Sequence, residues 1–261
     1  MSRPHPDNTL IVIPSRMGAT RLPGKALADI AGAPMIVQVW RRARASQAGQ
    51  VLVAAAEEEI AAAVRAAGGD AVLTDPDLLS GTDRVAQAVG LRDPQRRFEF
   101  VVNLQGDLPT LDAAAIDICL APLEDETVDI ATLASEILDA EEALNPNVVK
   151  AIADLGFDRP VAVASDFRRD IDGDDAGPHS GPHSGPHWHH IGIYAFRRAA
   201  LERFVLLPPS ERERSHRLEQ LRALDAGMTI AVARVDTAPF GVDTPADLER
   251  ARAAIEAARN R

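Results

Sequence analysis

The chain contains a single cysteine, Cys119. One thiol cannot form an internal disulfide, which excludes a disulfide-stapled secreted scaffold and suits a reducing cytoplasm. Cys119 sits in a helix-like run, Asp112 to Leu120, and reads as a small buried hydrophobe. No stretch approaches the roughly 20 apolar residues of a membrane span. The opening MSRPHPDNT lacks the apolar segment of a signal peptide. A basic surplus is missing too: the formal net charge is −11 and the pI about 5.1. Nucleic acid attracts basic stripes, so it is not an expected partner, and neither is a membrane. There is no long linker. What remains is a cytoplasmic chain of 261 residues, 46% hydrophobic. That is enough for a sizeable core in one domain, with residues 1–8 expected to be flexible.

What is present is a rhythm. Strand-like runs at Thr9–Ile13, Val51–Ala54, Ala71–Leu73 and Phe100–Leu104 alternate with helix-like runs at Met35–Ala45, Glu57–Ala67, Thr82–Val89 and Asp112–Leu120. This pattern predicts an α/β fold: a Rossmann-like, mostly parallel sheet flanked by helices. Continuous apolar runs such as LIVI and FVVNL suit strands buried on both faces. After Ala121 the strand-like pieces, Ile130–Ser135, Val148–Ile152, Val161–Ala164 and Ile191–Phe196, come closer together. They predict a smaller antiparallel, dimer-forming extension. Helices are expected at Arg197–Phe204, Ser210–Leu224 and Pro245–Ala258, with a strand at Thr229–Val235. A repeat, GPHSGPHSGPH from Gly177 to His187, excludes helix and sheet and predicts a flexible loop over 172–187. Flexible histidine tracts give adventitious metal sites more often than catalytic ones.

Three stretches carry chemistry. IVIPSRMGATRLPGK, Ile11 to Lys25, places Arg16, Arg21 and Lys25 directly after the first strand. Ligands of open α/β sheets bind at the carboxyl ends of strands, so this loop is a candidate polyphosphate cradle. It is neither a P-loop nor a dinucleotide G-x-G-x-x-G. FVVNLQGDLP puts Asp107 at the end of another buried strand. A carboxylate beside polyphosphate is repulsive unless a cation such as magnesium bridges them. GVDTPADLERA starts the last helix, where Asp243 or Thr244 caps and Pro245 fills the first turn. If Asp243 also faces Asp107, the pair makes a metal site.

IPSRMGATRLPGKALADIAGAPMI, LSGTDR, NLQGDLP, NPNVVK, HHIGIYAFR, LEQLRAL and GVDTPADLE occur together and in order. With these motifs the chain resembles the 3-deoxy-D-manno-octulosonate (Kdo) cytidylyltransferase family over about residues 9–255. The resemblance implies a single nucleotidyltransferase domain over 1–261, a homodimer, and Mg2+ as cofactor. It implies transfer of CMP from CTP to Kdo for lipopolysaccharide biosynthesis. By position, Ser15, Arg16, Arg21 and Lys25 would hold the triphosphate, and Ser80, Gly81, Thr82 and Arg84 would help form the cytidine pocket. Asp107 and Asp243 would bind the metal. Gln105, Arg168, His190, Tyr194, Glu219 and Gln220 would line the sugar-acid pocket.

Departures cluster on the acceptor and base sides. Ala56 replaces an aspartate the family carries after its second strand, with Glu57 as a possible substitute. Asp77-Leu78-Leu79 precedes the Ser-Gly motif, and the segment SDFR, Ser165 to Arg168, brings in Asp166 beside the expected carboxylate-binding arginine. Two other readings follow from them: a different acid acceptor (8-amino-Kdo, another ulosonate or a phosphonate), or a nucleotide-binding paralogue without turnover.

Overall fold

The computed structural model describes residues 2–19, 21–170 and 187–259. Gly177 to Pro186 of the GPHS repeat, and with them nearly all of the expected 172–187 loop, lie outside these. Two compact units are present. The first comprises Pro4–Asp117 and Pro239–Arg261, the second Met1–Arg3 and Ile118–Ala238.

The first unit is built on β1 (Thr9–Ser15), a two-stranded ribbon of β2 (Asp29–Ile30) and β3 (Ala33–Pro34), β4 (Gln50–Ala55), β5 (Asp70–Leu73) and β6 (Phe100–Asn103). β5, β4, β1 and β6 lie side by side in that order, all parallel. Leu10, Ile11, Val12 and Ile13 are all buried, as a strand covered on both faces requires. The chain winds from β1 through β4 to β5, then crosses to the other side of β1 for β6. The point where winding reverses therefore lies at β1 and β6, where ligands bind beyond the strands' carboxyl ends. Gly106 follows β6 there; a Cβ at this position would stand 2.8 Å from the Pro14 carbonyl oxygen, so only glycine fits without displacing backbone.

The helices form where the periodicity places them, at Met35–Ala45, Glu58–Ala66 and Gly81–Arg92. Ser80 caps the last of these by accepting from the Asp83 amide at 3.0 Å. The chain's final segment returns to this unit. Val242, Leu248, Ala251 and Ile255 join Ile30 and Met35 in one apolar cluster, and the helix Pro245–Arg259 closes the chain.

The second unit carries β7 (Ile130–Glu136), β8 (Lys150–Ala153), β9 (Val161–Arg168), β10 (Trp188–Arg197) and β11 (Ile230–Val235). Their order is β10-β7-β11-β9-β8. Only β7 and β11 run parallel; the other neighbours are antiparallel. β8 also pairs with the start of β10 at Trp188 and His189. Cys119 is fully buried, and burial pushes its thiol up to about 12, so it is inert packing. Among the described residues no helix is long and apolar enough to cross a membrane.

Two expectations change. The helix expected over Ser210–Leu224 is two short helices, Glu211–His216 and Leu221–Asp225, separated at Arg217, which adopts a left-handed φ of 54°. The first has no buried residue, and a helix polar all round gains nothing from a core that would extend it. The strand expected over Val161–Ala164 runs on to Arg168, so the SDFR segment is paired sheet rather than loop.

Candidate active site

A cavity of about 320 Å³ opens at the carboxyl ends of β1 and β6. Its wall includes Ser15, Arg16, Arg21 and Lys25 from the loop after β1, and Ser80, Gly81 and Arg84 from the start of a helix. Gln105, Gly106 and Asp107 follow β6, and Asp243 comes from the chain's last segment. Each element has a local reason to be where it is. β1 carries its ladder through Pro14 and Ser15, paired with Ala54 and Ala55, and ends where the exposed run from Arg16 begins. The loop then turns through Gly24, which needs a left-handed φ of 70°. Glu57 ties this loop down: its Oε2 accepts from the Met17 amide at 3.0 Å. The acid beside Ala56 therefore positions the basic loop.

Lys25 sits between two carboxylates. Its Nζ donates to Asp107 Oδ2 at 2.8 Å, to Asp243 Oδ1 at 2.9 Å and to the Val242 carbonyl at 3.1 Å. Burial works against its charge, but Asp107 and Asp243 outweigh burial and raise its pKa above the ordinary value. Arg21 Nη2 donates to the other oxygen of Asp243, Oδ2, at 2.8 Å. Asp243 is not the helix cap. Thr244 Oγ1 accepts from the Asp247 amide at 3.2 Å, and Asp247 Oδ2 accepts from the Thr244 amide at 3.0 Å. With capping assigned to Thr244 and Asp247, the Asp243 carboxylate is left for cations.

Arg16 is exposed and makes no ion pair among the described residues. Arg84 is buried and braces the neighbouring loop, donating to Thr74 Oγ1 at 2.6 Å and to the Asp75 carbonyl at 3.0 Å. Burial lowers its pKa. Thr82 is buried and does not line the cavity; it accepts from Asn103 Nδ2 at 3.4 Å. The cavity also includes Pro14, Ala19, Ala26, Met35 and Leu78. Of these only Leu78 had a sequence signal, as a departure before the Ser-Gly motif.

In the second unit, His190 and Tyr194 of β10 come together, their rings 5.5 Å apart. Phe167 of β9 meets His190 edge-on at 5.0 Å. His190 is buried, and burial followed by the neighbouring His189 lowers its pKa to about 3, so the ring is neutral. Burial pushes the Tyr194 hydroxyl well above its usual range. Glu219 and Gln220 lie in the turn between the two short helices, and Gln220 is buried with no partner for its Nε2. Both positions fell within the single helix expected over Ser210–Leu224, which is interrupted here. The turn is braced by Arg222, which forms two bonds to Glu213. Arg168 is exposed, and its Nε donates to Asp166 Oδ2 at 2.8 Å. Strand alternation puts it on the face opposite Phe167, hence away from the ring of His190. Arg212 also pairs with Asp166. These guanidiniums and the Phe167 amide outweigh burial and keep the Asp166 carboxyl below its usual range. Arg169 is spent on carbonyls of Pro146, His216 and Arg217.

A basic loop and two converging carboxylates at the switch point of a parallel sheet make a site for a polyphosphate and a cation. The cytidylyltransferase family matches residues 10–230. A 3-deoxy-manno-octulosonate cytidylyltransferase of Parvibaculum lavamentivorans is 59% identical over 94% of this chain and 92% of its own. One from Paramagnetospirillum magneticum is 55% identical over 95% of this chain and 98% of its own. A solved CMP:2-keto-3-deoxy-manno-octonic acid synthetase complexed with CTP superimposes with a TM-score of 0.84 at 36% identity, covering 96% of this chain and 99% of that one. The chain belongs to the cytidylyltransferase family.

Proposed function

We propose that this protein transfers CMP from CTP to Kdo, releasing pyrophosphate and giving CMP-Kdo for lipopolysaccharide biosynthesis. The observation that carries this reading is the Lys25 clasp across Asp107 and Asp243, set in a strand-end cavity with Arg16 and Arg21. In the reaction the anomeric hydroxyl of Kdo attacks the α-phosphorus of CTP. A new P–O bond forms, the bond to the β-phosphate oxygen breaks, and the hydroxyl proton leaves. Such transfer needs alignment and charge neutralisation more than covalent help from the protein. Arg16 and Arg21 bind the triphosphate, and Lys25 steadies the leaving phosphates once it gives up its carboxylates. Ser80 and Gly81 edge the base pocket, while Arg84 holds its wall through the Thr74 hydroxyl and the carbonyls of Asp75 and Pro76.

Asp107 and Asp243 suit Mg2+, since hard carboxylate oxygens from two segments already converge on one cation. When bound, the metal would neutralise the phosphates and lower the pKa of the attacking hydroxyl. Gln105 offers its amide to the reactants from the first unit. His190, Tyr194, Glu219 and Gln220 are the acid-recognising groups of the second. Arg168 is the guanidinium proposed for the acid's carboxylate; because it lies on the face of β9 opposite Phe167, it would meet the acid from outside the His190 cluster and by exchange with Asp166. The active species is a homodimer formed through the second unit, where Val161 and Val163 on β9 and the nearby Phe157 leave apolar surface exposed. The protein works in the cytoplasm.

Pyrophosphate release with CTP and a panel of acids tests the activity. Release with Kdo is expected. Release only with another ulosonate or a phosphonate would reassign the acceptor, and CTP binding without release would mean a lapsed enzyme.

A further inference from the structure

The hydroxyl of Thr132 on β7 has three acceptor-capable neighbours. It lies 2.7 Å from the Ile193 carbonyl, 3.1 Å from the Ile191 carbonyl and 3.1 Å from His190 Nε2. The arrangement arises from an irregularity in β10: Ile191 pairs with Leu133, yet Tyr194 pairs with Thr132, so two residues have no counterpart on β7. That bulge brings the carbonyls on either side of Gly192 onto one side chain. Thr132 is fully buried, and no solvent can relieve the competition.

A hydroxyl has one proton, and carbonyl oxygens can only accept. Ile193 is the nearer carbonyl, so the Thr132 proton goes to it. Oγ1 then has only lone pairs left for the ring nitrogen at 3.1 Å. A bare Nε2 would set lone pair against lone pair in a dry environment, whereas Nε2–H satisfies both atoms. The ring is neutral, as its burial requires, so the second nitrogen, Nδ1, carries no proton. Nδ1 has no hydrogen-bond partner among the described residues. Phe167 and Tyr194 against the ring limit its reorientation.

We propose that Thr132 is a positioning residue that locks His190 in the Nε2–H form, so that Nδ1 is offered as an acceptor to a hydroxyl of the sugar acid. His190 then selects a polyhydroxylated substrate by accepting a hydrogen bond at Nδ1 from one of its hydroxyls. It does not act as a cation for the carboxylate. The substrate half of this inference rests on the reading that His190 lines the acid pocket; the tautomer does not.

The two parts are tested separately. The protein labelled with 15N-histidine is studied by NMR without substrate between pH 6 and 8, with the His190 signal assigned by its absence in His190→Gln. A neutral Nε2–H ring is expected throughout; an Nδ1–H ring or a charged one would overturn the proposal even if the enzyme turns Kdo over normally. Next, Thr132→Val keeps the shape and removes the hydroxyl. It should raise KM for Kdo about three- to tenfold with KM for CTP unchanged, and Thr132→Ser should restore it. An unchanged KM for Kdo in a folded Thr132→Val would remove Thr132 from this role. If the Val variant does not fold, the wild-type tautomer and the Ser variant, expected at wild-type KM, still decide.

Discussion

Replacing Asp243 by asparagine tests the clasp most directly. The substitution keeps shape and removes one charge. Helix capping is untouched, because Thr244 and Asp247 perform it. The Asp243 side chain is 43% exposed, so solvent screens its pairing with Lys25 and Arg21. Losing that pairing should cost about 0.5 kcal/mol of stability, a fall in Tm of roughly 1–2 °C. Lys25 keeps Asp107 at 2.8 Å. Turnover should fall much further. Removing one group that fixes charge at a reacting phosphate typically costs about 100- to 1000-fold in kcat, and Asp107→Asn should behave alike. The assay is pyrophosphate release across a magnesium titration, beside a thermal melt. Greater loss at limiting than at saturating magnesium, with the melt nearly unmoved, is the expected result. Full activity of Asp243→Asn at limiting magnesium would refute the metal role. A collapse of the melt would show that the clasp holds the fold and not the reactants.

Arg168→Lys should raise KM for the acid about tenfold, as expected for loss of a bidentate charged bond, and leave KM for CTP alone; equally small effects from Arg168→Lys and Arg169→Lys would remove Arg168 from the acid's pocket. Val163→Glu should convert the dimer to a monomer by light scattering, and a monomeric wild type would end the dimer proposal. His190 is held at about 3 against 6.5 when unfolded, so the unfolded chain binds the extra proton and stability falls as pH drops through that window. At pH 5 this one ring should cost about 2 kcal/mol relative to pH 8; urea unfolding of wild type and His190→Gln at both values measures it, and equal pH dependence would refute it. Deleting Gly177–Pro186 should leave the melt and CTP affinity nearly unchanged, since loop length alone costs about 0.6 kcal/mol per doubling; a large loss of Tm would show that the segment is packed.

Much of the first unit was legible because its signals are local. Apolar runs bounded by Pro14 or Gly106 can only be buried strands, and Met35–Ala45 shows its helical period plainly. The convergence of Asp107 and Asp243 was only conditional in the residues, since nothing nearby in sequence brings position 243 to position 107. Capping was ambiguous for the same reason: Asp243 and Thr244 are both good cap residues, and only tertiary contacts decide which is left for Lys25. Ser210–Leu224 misled because helix-forming residues continue through Arg217, while the apolar contacts that would carry a helix onward are missing from its first half. The role of Thr132 was invisible, because it depends on a bulge in a strand more than fifty residues away.

The first unit is discontinuous, and that has a consequence for how the enzyme is made. Lys25 and Asp107 emerge early in synthesis, but Asp243 is 218 positions beyond Lys25. The last segment also supplies the Val242 amide that donates to the Asp107 carbonyl at 2.9 Å, and four of the six buried residues of the apolar cluster that includes Ile30 and Met35. A nascent chain therefore holds its cationic loop and first carboxylate with the other wall of the cavity still unsynthesised. Contacts that distant in sequence form slowly and last. A polypeptide released early, or clipped ahead of Val242, would keep most of its sheet and could still attract a nucleotide, but it would lack the second carboxylate. The fold makes activity a property of the finished chain.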